Sequence, residues 1–264
     1  MLDRVPNVIA AGRLLAGGRS RTKGGVVLGY HDVTDGPART DYDVTVAALR
    51  QQLVALQAWG LRIVPLADLA DALIAGQTVD GMVAVTFDDA LEGVYRHAWP
   101  LLRELEVPFT VFAVSAELGG DPAWWPDAGR IMSQPHLVEM ADAGVAIESH
   151  SRHHPSLPAV SATVLRDEVV GGKAEIENIT GRETTLLAYP FGHHDPAVRE
   201  VSTEAGFRAG FSFLNGRVTN DQDIFRLPRF TMTSAHHRAR LALHVSRRAE
   251  SWPDTQCDAV KGEG

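Results

Sequence analysis

Between residues 25 and 232, short apolar runs alternate with amphipathic stretches about seven times, and this alternation most restricts the fold. Runs at 26–30, 61–64, 82–87, 109–114, 145–148, 185–189, 207–213 and 225–232 read as strands. Segments 44–59, 66–75, 91–105, 136–143, 160–179, 197–205 and 235–250 read as helices, with Pro100 placed to kink the third. Gly60, Gly76, Gly144, Gly181 and Gly206 stand where helices should stop. Repeated β–α order of this kind predicts a parallel α/β architecture, closed as a barrel or open and doubly wound. The 264 residues, 45% of them hydrophobic, suit one domain with a sizeable core. Residues 1–24 read as an N-terminal extension, 25–250 as the domain and 251–264 as a tail.

Charge narrows the partners. A net charge of -8 is a poor match for sequence-independent binding to nucleic acid phosphates. The single cysteine, Cys257, rules out an internal disulfide and agrees with a reducing compartment. The first 25 residues carry early charges and Pro6, and Gly12 and Arg13 interrupt the apolar stretch 8–16. They read neither as a signal peptide nor as a membrane span, so a cytoplasmic location is expected.

In parallel α/β folds chemistry gathers at the carboxyl ends of strands. Those ends here carry His31-Asp32, Asp88-Asp89, His150 and the turn Tyr189-Pro190-Phe191-Gly192. His150 and His154 are four apart in a tight segment, so both imidazoles can reach one ion. A carboxylate from another strand would complete a three-ligand site with open positions, as catalytic zinc sites require. The same donors suit cobalt, nickel or iron(II). Two adjacent aspartates can then divide the work: one binds the ion, and its neighbour takes a proton from water.

Three motifs in order resemble the polysaccharide deacetylase family, also called the NodB-homology or chitooligosaccharide deacetylase type. They are Thr86-Phe87-Asp88-Asp89, His150-Ser151-Arg152-His153-His154 and Ala188-Tyr189-Pro190-Phe191-Gly192. Tyr30-His31-Asp32 is similar to the opening of many members. The resemblance covers roughly residues 25 to 232. It implies a distorted (β/α) barrel of about seven parallel strands in a single domain. It implies Asp89, His150 and His154 as ligands of a divalent metal, most readily Zn2+, with Co2+, Ni2+ or Fe2+ as alternatives. It makes Asp88 the catalytic base and gives the backbone N–H of Tyr189 an oxyanion role. The expected reaction releases acetate from an N-acetylated amino sugar, oligosaccharide or polysaccharide. An O-acetyl ester, a small cyclic amide, or glycan binding without turnover are the alternatives.

The chain departs from the family pattern in three places. Ala90 replaces a glycine after the aspartate pair. Ala188 stands where many members carry an arginine that orients the base, and Arg229 is the candidate replacement. The late histidine that acts as catalytic acid has no clear counterpart. His236 and His237 lie near the right place but open a polar helix, so His31 is the preferred stand-in. Blander readings stand beside these. Asp88-Asp89 could cap a helix. His193-His194-Asp195 could be a solvated loop. Trp124-Trp125 could stack on sugar or pack under a loop. Glu148 could support a ligand histidine or be an ordinary strand-end acid.

Overall fold

A computed structural model describes residues 11–16 and 23–246. Its main sheet is wholly parallel. The strand order is β10 (Phe230–Thr231), β1 (Val26–Tyr30), β5 (Met82–Phe87), β6 (Thr110–Ala113), β7 (Ala146–Ser149), β8 (Leu186–Ala188) and β9 (Ala209–Phe211). β4 (Arg62–Ile63) pairs with the start of β5. The seven-strand path curls into the distorted (β/α) barrel that the alternation and motifs anticipate. β1 is buried along its whole length and β5 at all but its first residue, because interior and helices cover both faces of a parallel sheet.

Several boundaries differ from the sequence reading. The run at 225–232 is not one strand. Leu227 pairs with Phe211 of β9, and Phe230 then pairs with Leu28 of β1. The segment thus changes neighbour within three residues and closes the barrel, and Arg229 lies between the two pairings. The loop after Asp32 contains a small parallel pair, β2 (Asp32–Thr34) with β3 (Asp43–Thr45), that no periodicity signalled. Helices expected at 91–105 and 160–179 each contain a π-helical turn, at Val94–Ala98 and Asp167–Gly171. The last helix spans Arg238–Ser246. Its expected end, the tail and Cys257 lie outside the described residues. Part of the expected N-terminal extension is integral to the domain: Ala11 and Leu14 are buried in the main core.

The β1–β2 corner is locked to the chain beyond the aspartate pair. Asp32 is buried, accepts from the Val33 N–H at 2.9 Å and pairs with Arg39. A Cβ on Gly93 would lie 2.0 Å from Asp32 Oδ1 and 2.2 Å from the Val33 carbonyl oxygen. The conformation of Gly93 is ordinary and helical, so its requirement is space, not φ. Gly93→Ala is expected to cost about 1–3 kcal/mol through overpacking against backbone. At roughly 2–4 °C per kcal/mol for a chain of this size, a melting curve should fall by several degrees. An unchanged midpoint would mean that the corner has room for a methyl group.

Candidate metal and catalytic site

β5 and β7 are neighbours of β6 and end at the same rim, so their last residues converge. Asp88 and Asp89 lie just past β5; His150 and His154 lie just past β7. Asp89 Oδ1 lies 3.3 Å from His154 Nε2 and 3.7 Å from His150 Nε2. One donor atom from each of these three residues can be chosen so that all lie within 4.8 Å of one another. Among the described residues this is the only His, Cys, Asp or Glu grouping with that geometry.

The backbone here is unusual. Six described residues other than glycine have positive φ, and five of them are Asp89, Ala90, Ser151, His154 and Phe191, with φ between 53° and 65°. Such conformations cost on the order of 1–3 kcal/mol each and persist only where the surroundings over-determine them. Ala90, at φ 53°, occupies the position where the family prefers glycine, the residue that adopts this region without strain.

The protein supports His150 through a backbone group. The Ala188 carbonyl can only accept, so His150 Nδ1 carries the proton that is donated to it at 2.8 Å, leaving Nε2 with its lone pair toward Asp89. Glu148 is not its partner. That carboxylate accepts the N–H groups of Thr185 and Leu186, each at 2.8 Å. β7 and β8 pair only at Ser149 and Leu187, so Glu148 substitutes for missing ladder bonds.

The two aspartates sit in opposite electrostatic settings. Burial alone would raise Asp88, but the Arg229 guanidinium outweighs it and holds the carboxyl down at about 2. Arg229 donates from Nη1 to Asp88 Oδ1 at 2.7 Å and from Nη2 to Oδ2 at 2.8 Å. This is a bidentate fork with both partners fully buried. The guanidinium also lies 4.2 Å over the Phe213 ring. Asp89 has no such partner. Burial, and then the neighbouring Asp88 charge, push it well above the usual carboxylate range. Its Oδ1 is buried without a hydrogen-bond donor, facing two imidazoles. A cation placed among these three donors would satisfy that oxygen and offset both causes of the shift, so the residues fit a divalent metal.

The remaining candidates are distributed unevenly. His31 reaches the cavity, where its ring stacks on Phe213 at 5.4 Å and meets Tyr42 and Trp125 at 5.1 and 5.6 Å. Burial pulls its pKa down to about 4, which weighs against the catalytic-acid role expected of it. The Tyr189 assignment needs correction. Its backbone N–H donates to the Phe211 carbonyl at 3.0 Å within the sheet, so it is committed to the β8–β9 ladder. The residue of that turn that reaches the cavity is Phe191, whose ring centroid lies 4.6 Å from that of His154. His236 faces His244 at 2.8 Å and is not among the residues that line the cavity. In the His193-His194-Asp195 segment, His193 bonds Ser156, His194 packs on Tyr189 and Asp195 caps the next helix through the Val198 N–H.

A cavity of about 290 Å³ opens over the site, lined by aromatic side chains from His31, Tyr42, Trp124, Trp125, Phe191 and Phe213, by Thr231, and by the three metal-ligand candidates. The tryptophan pair splits. Trp124 lies against His154, centroids 4.3 Å apart and planes at 19°, which packs the histidine in place. Trp125 meets Tyr42 edge to face at 5.3 Å and forms the outer wall. Arg229, the candidate replacement for the base-orienting arginine absent at Ala188, lies on Asp88. The roles of Ala188 O and Phe191 carried no sequence signal.

Comparison with known proteins places this geometry. The sequence model of one family, described as polysaccharide deacetylase, matches residues 75–210, just over half of the chain. The chain is 24% identical over 203 residues to the poly-beta-1,6-N-acetyl-D-glucosamine N-deacetylase of Staphylococcus aureus (strain MRSA252), covering 73% of this chain and 69% of that one. Against the Bacillus subtilis (strain 168) protein YxkH, named for the same family, identity is 25% over 147 residues, 56% of this chain and 50% of that one. The chain thus spans half the length of that relative. Among solved structures, IcaB from Ammonifex degensii superposes with a TM-score of 0.73 at 24% identity, covering 87% of this chain and 99% of that one. The Streptococcus pyogenes deacetylase PplD, solved with acetate, gives 0.72 at 19%, covering 83% and 96%. These likenesses establish the fold. No described helix is long and apolar enough to cross a membrane.

Proposed function

The chain belongs to the polysaccharide deacetylase family, a family of carbon–nitrogen hydrolases, and from that premise we propose that it removes N-acetyl groups from an amino-sugar oligomer or polymer. The carrying observation is the asymmetry of the aspartate pair. Asp88 is locked as a carboxylate on Arg229, while Asp89 Oδ1 is buried against two imidazoles without a hydrogen-bond donor. A module that only bound glycan would have no use for this division.

Asp89, His150 and His154 would hold the divalent ion, with zinc the best match to the donor set. When bound, the ion supplies Lewis acidity that polarises the acetyl carbonyl and acidifies water. Asp88 is ionised and lies 3.6 Å from Nε2 of His150, one of the residues that would hold the ion. It accepts the proton of the attacking water and returns it to the amine nitrogen as the carbon–nitrogen bond breaks. Acetate and a free amine result. Arg229 holds both oxygens of the base in one orientation through both proton transfers. His31 lines the cavity, where its imidazole can hydrogen-bond a substrate. Tyr42 and Trp125 present aromatic surface of the kind that sugar faces stack on.

Metal content tests this first. Elemental analysis of protein purified without an affinity-metal step should find about one zinc-class ion per chain, as a three-ligand catalytic site implies. His150→Ala with His154→Ala should lose it. Acetate release from N-acetylglucosamine oligomers should stop with a chelator and return with zinc. Release from O-acetylated or cyclic-amide substrates instead would move the scissile bond and keep the site. No bound ion even after reconstitution would overturn the hydrolase mechanism.

A further inference from the structure

The loop that delivers His154 holds two left-handed residues, Ser151 at φ 65° and His154 at φ 62°. Something outside the loop must hold that shape. Backbone bonds fasten one side: Ser115 N–H to the Ser151 carbonyl at 3.3 Å, and Ala116 N–H to the Arg152 carbonyl at 3.0 Å. On the opposite side the Arg152 side chain reaches Asp167 and Glu175, each at 2.8 Å, but one side chain alone holds the loop's backbone. Glu168 Oε2 accepts the backbone N–H groups of Arg152 at 3.0 Å and His153 at 2.8 Å. Its Oε1 lies 2.8 Å from His153 Nδ1. The residue is buried, although glutamate is rarely buried without such partners.

Glu168 gets there because its helix is irregular. It lies in the π-helical turn Asp167–Gly171, between regular turns Ala162–Arg166 and Gly172–Thr180. A π turn carries an extra residue and rotates the rest of the helix, and such turns occur mostly at functional sites. Just past the turn, Gly172 lets the helix touch the loop: a Cβ there would lie 2.9 Å from the Ser151 carbonyl carbon and 3.0 Å from the Arg152 nitrogen. Helix and loop are therefore in backbone contact, with the carboxylate set between the two N–H groups.

We propose that Glu168 is a positioning residue for the metal centre. It fixes the Ser151–His154 loop in the strained form that presents His154 to the ion. The inference rests on the reading that Asp89, His150 and His154 bind a metal. What matters is an acceptor oxygen at the right reach, not the charge. Glutamine retains that oxygen, and its amide can donate to His153 Nδ1 in the other tautomer. Aspartate retains the charge but is one methylene short.

The test is zinc affinity of the full chain, measured by competition with a chromophoric chelator, with the melting midpoint of the metal-free protein beside it. Glu168→Ala and Glu168→Asp should weaken zinc binding by about 10–100-fold, the usual effect of removing support behind a metal ligand. Glu168→Gln and His153→Ala should stay near the parent value. Should Glu168→Ala fail to fold, the contrast between Asp and Gln decides. Parent-like affinity in a folded Ala or Asp variant overturns the proposal, even if its midpoint falls, because that is a structural role only. A Gln variant as weak as Ala also overturns it, by assigning the effect to charge. A parent protein that binds no zinc removes the metal reading itself, which the parent measurement reveals before any variant is compared.

Discussion

Asp88→Asn should reduce acetate release by about 10²–10⁴-fold, the range for loss of a positioned general base, while the protein still binds about one metal ion per chain. Asparagine has the shape of aspartate but cannot take the proton. Metal should remain because the three candidate ligands, Asp89, His150 and His154, are untouched. Asp89→Asn makes the opposite case and should lose metal and activity together. Asp88→Asn also leaves the buried Arg229 without its countercharge, so some stability should be lost as well. Rates must therefore be taken well below the melting transition, with metal content measured on the same sample. Full activity in Asp88→Asn would end the assignment of separate roles to the two aspartates.

The second large effect is on stability. Arg229→Met should destabilise the metal-free protein by about 3–5 kcal/mol, because breaking a fully buried pair strands the remaining charge. At about 2–4 °C per kcal/mol the midpoint should drop by on the order of 10 °C. The loss should depend on pH. In the parent, the folded Asp88 pKa of about 2 lies below the ordinary aspartate value of 3.8. A depressed carboxyl contributes stability that is present above the unfolded pKa and disappears as pH falls through the folded one. Without Arg229, burial and the Asp89 neighbour raise Asp88 instead, and protonation relieves the stranded charge. The difference between parent and variant should therefore shrink as pH is lowered from about 5 to about 2. Midpoints of chelator-treated parent and variant across that range check this; a gap independent of pH would mean that the fork contributes packing alone. Arg229→Lys should fall between the two, since an ammonium cannot grip both oxygens.

The legible part of the site was the part carried by local sequence. Asp88-Asp89 after a buried apolar run, and His150 with His154 four residues on, are short-range patterns. A parallel α/β barrel brings such strand ends together at one rim. The corrections come where a residue's role depends on a partner distant in sequence. Tyr189 could be placed at a strand end, but its N–H is committed to Phe211, which only sheet pairing decides. His31 stands in for the missing catalytic acid by its place at the end of the first strand, which says nothing of its pKa. Burial in an aromatic box, a property of loops at Tyr42, Trp125 and Phe213, pulls it down. Trp124 and Trp125 are adjacent, yet one packs a histidine and the other walls the cavity, because consecutive side chains point different ways.

The sequence by itself determined the α/β class, the strand ends that bear chemistry, and the residue types that can hold a metal beside a free carboxylate. Periodicity and motif spacing are local, and burial on both faces of a parallel strand leaves a continuous apolar run that can be read directly. Only the tertiary structure decided that Arg229 grips Asp88 across 141 residues. It also decided that the last strand changes neighbour to close the barrel, and that Glu168 reaches the histidine loop from a π turn. Each depends on backbone geometry accumulated over the intervening chain. A buried charge can be placed only once the fold has determined which opposite charge or donor is within about 3 Å of it.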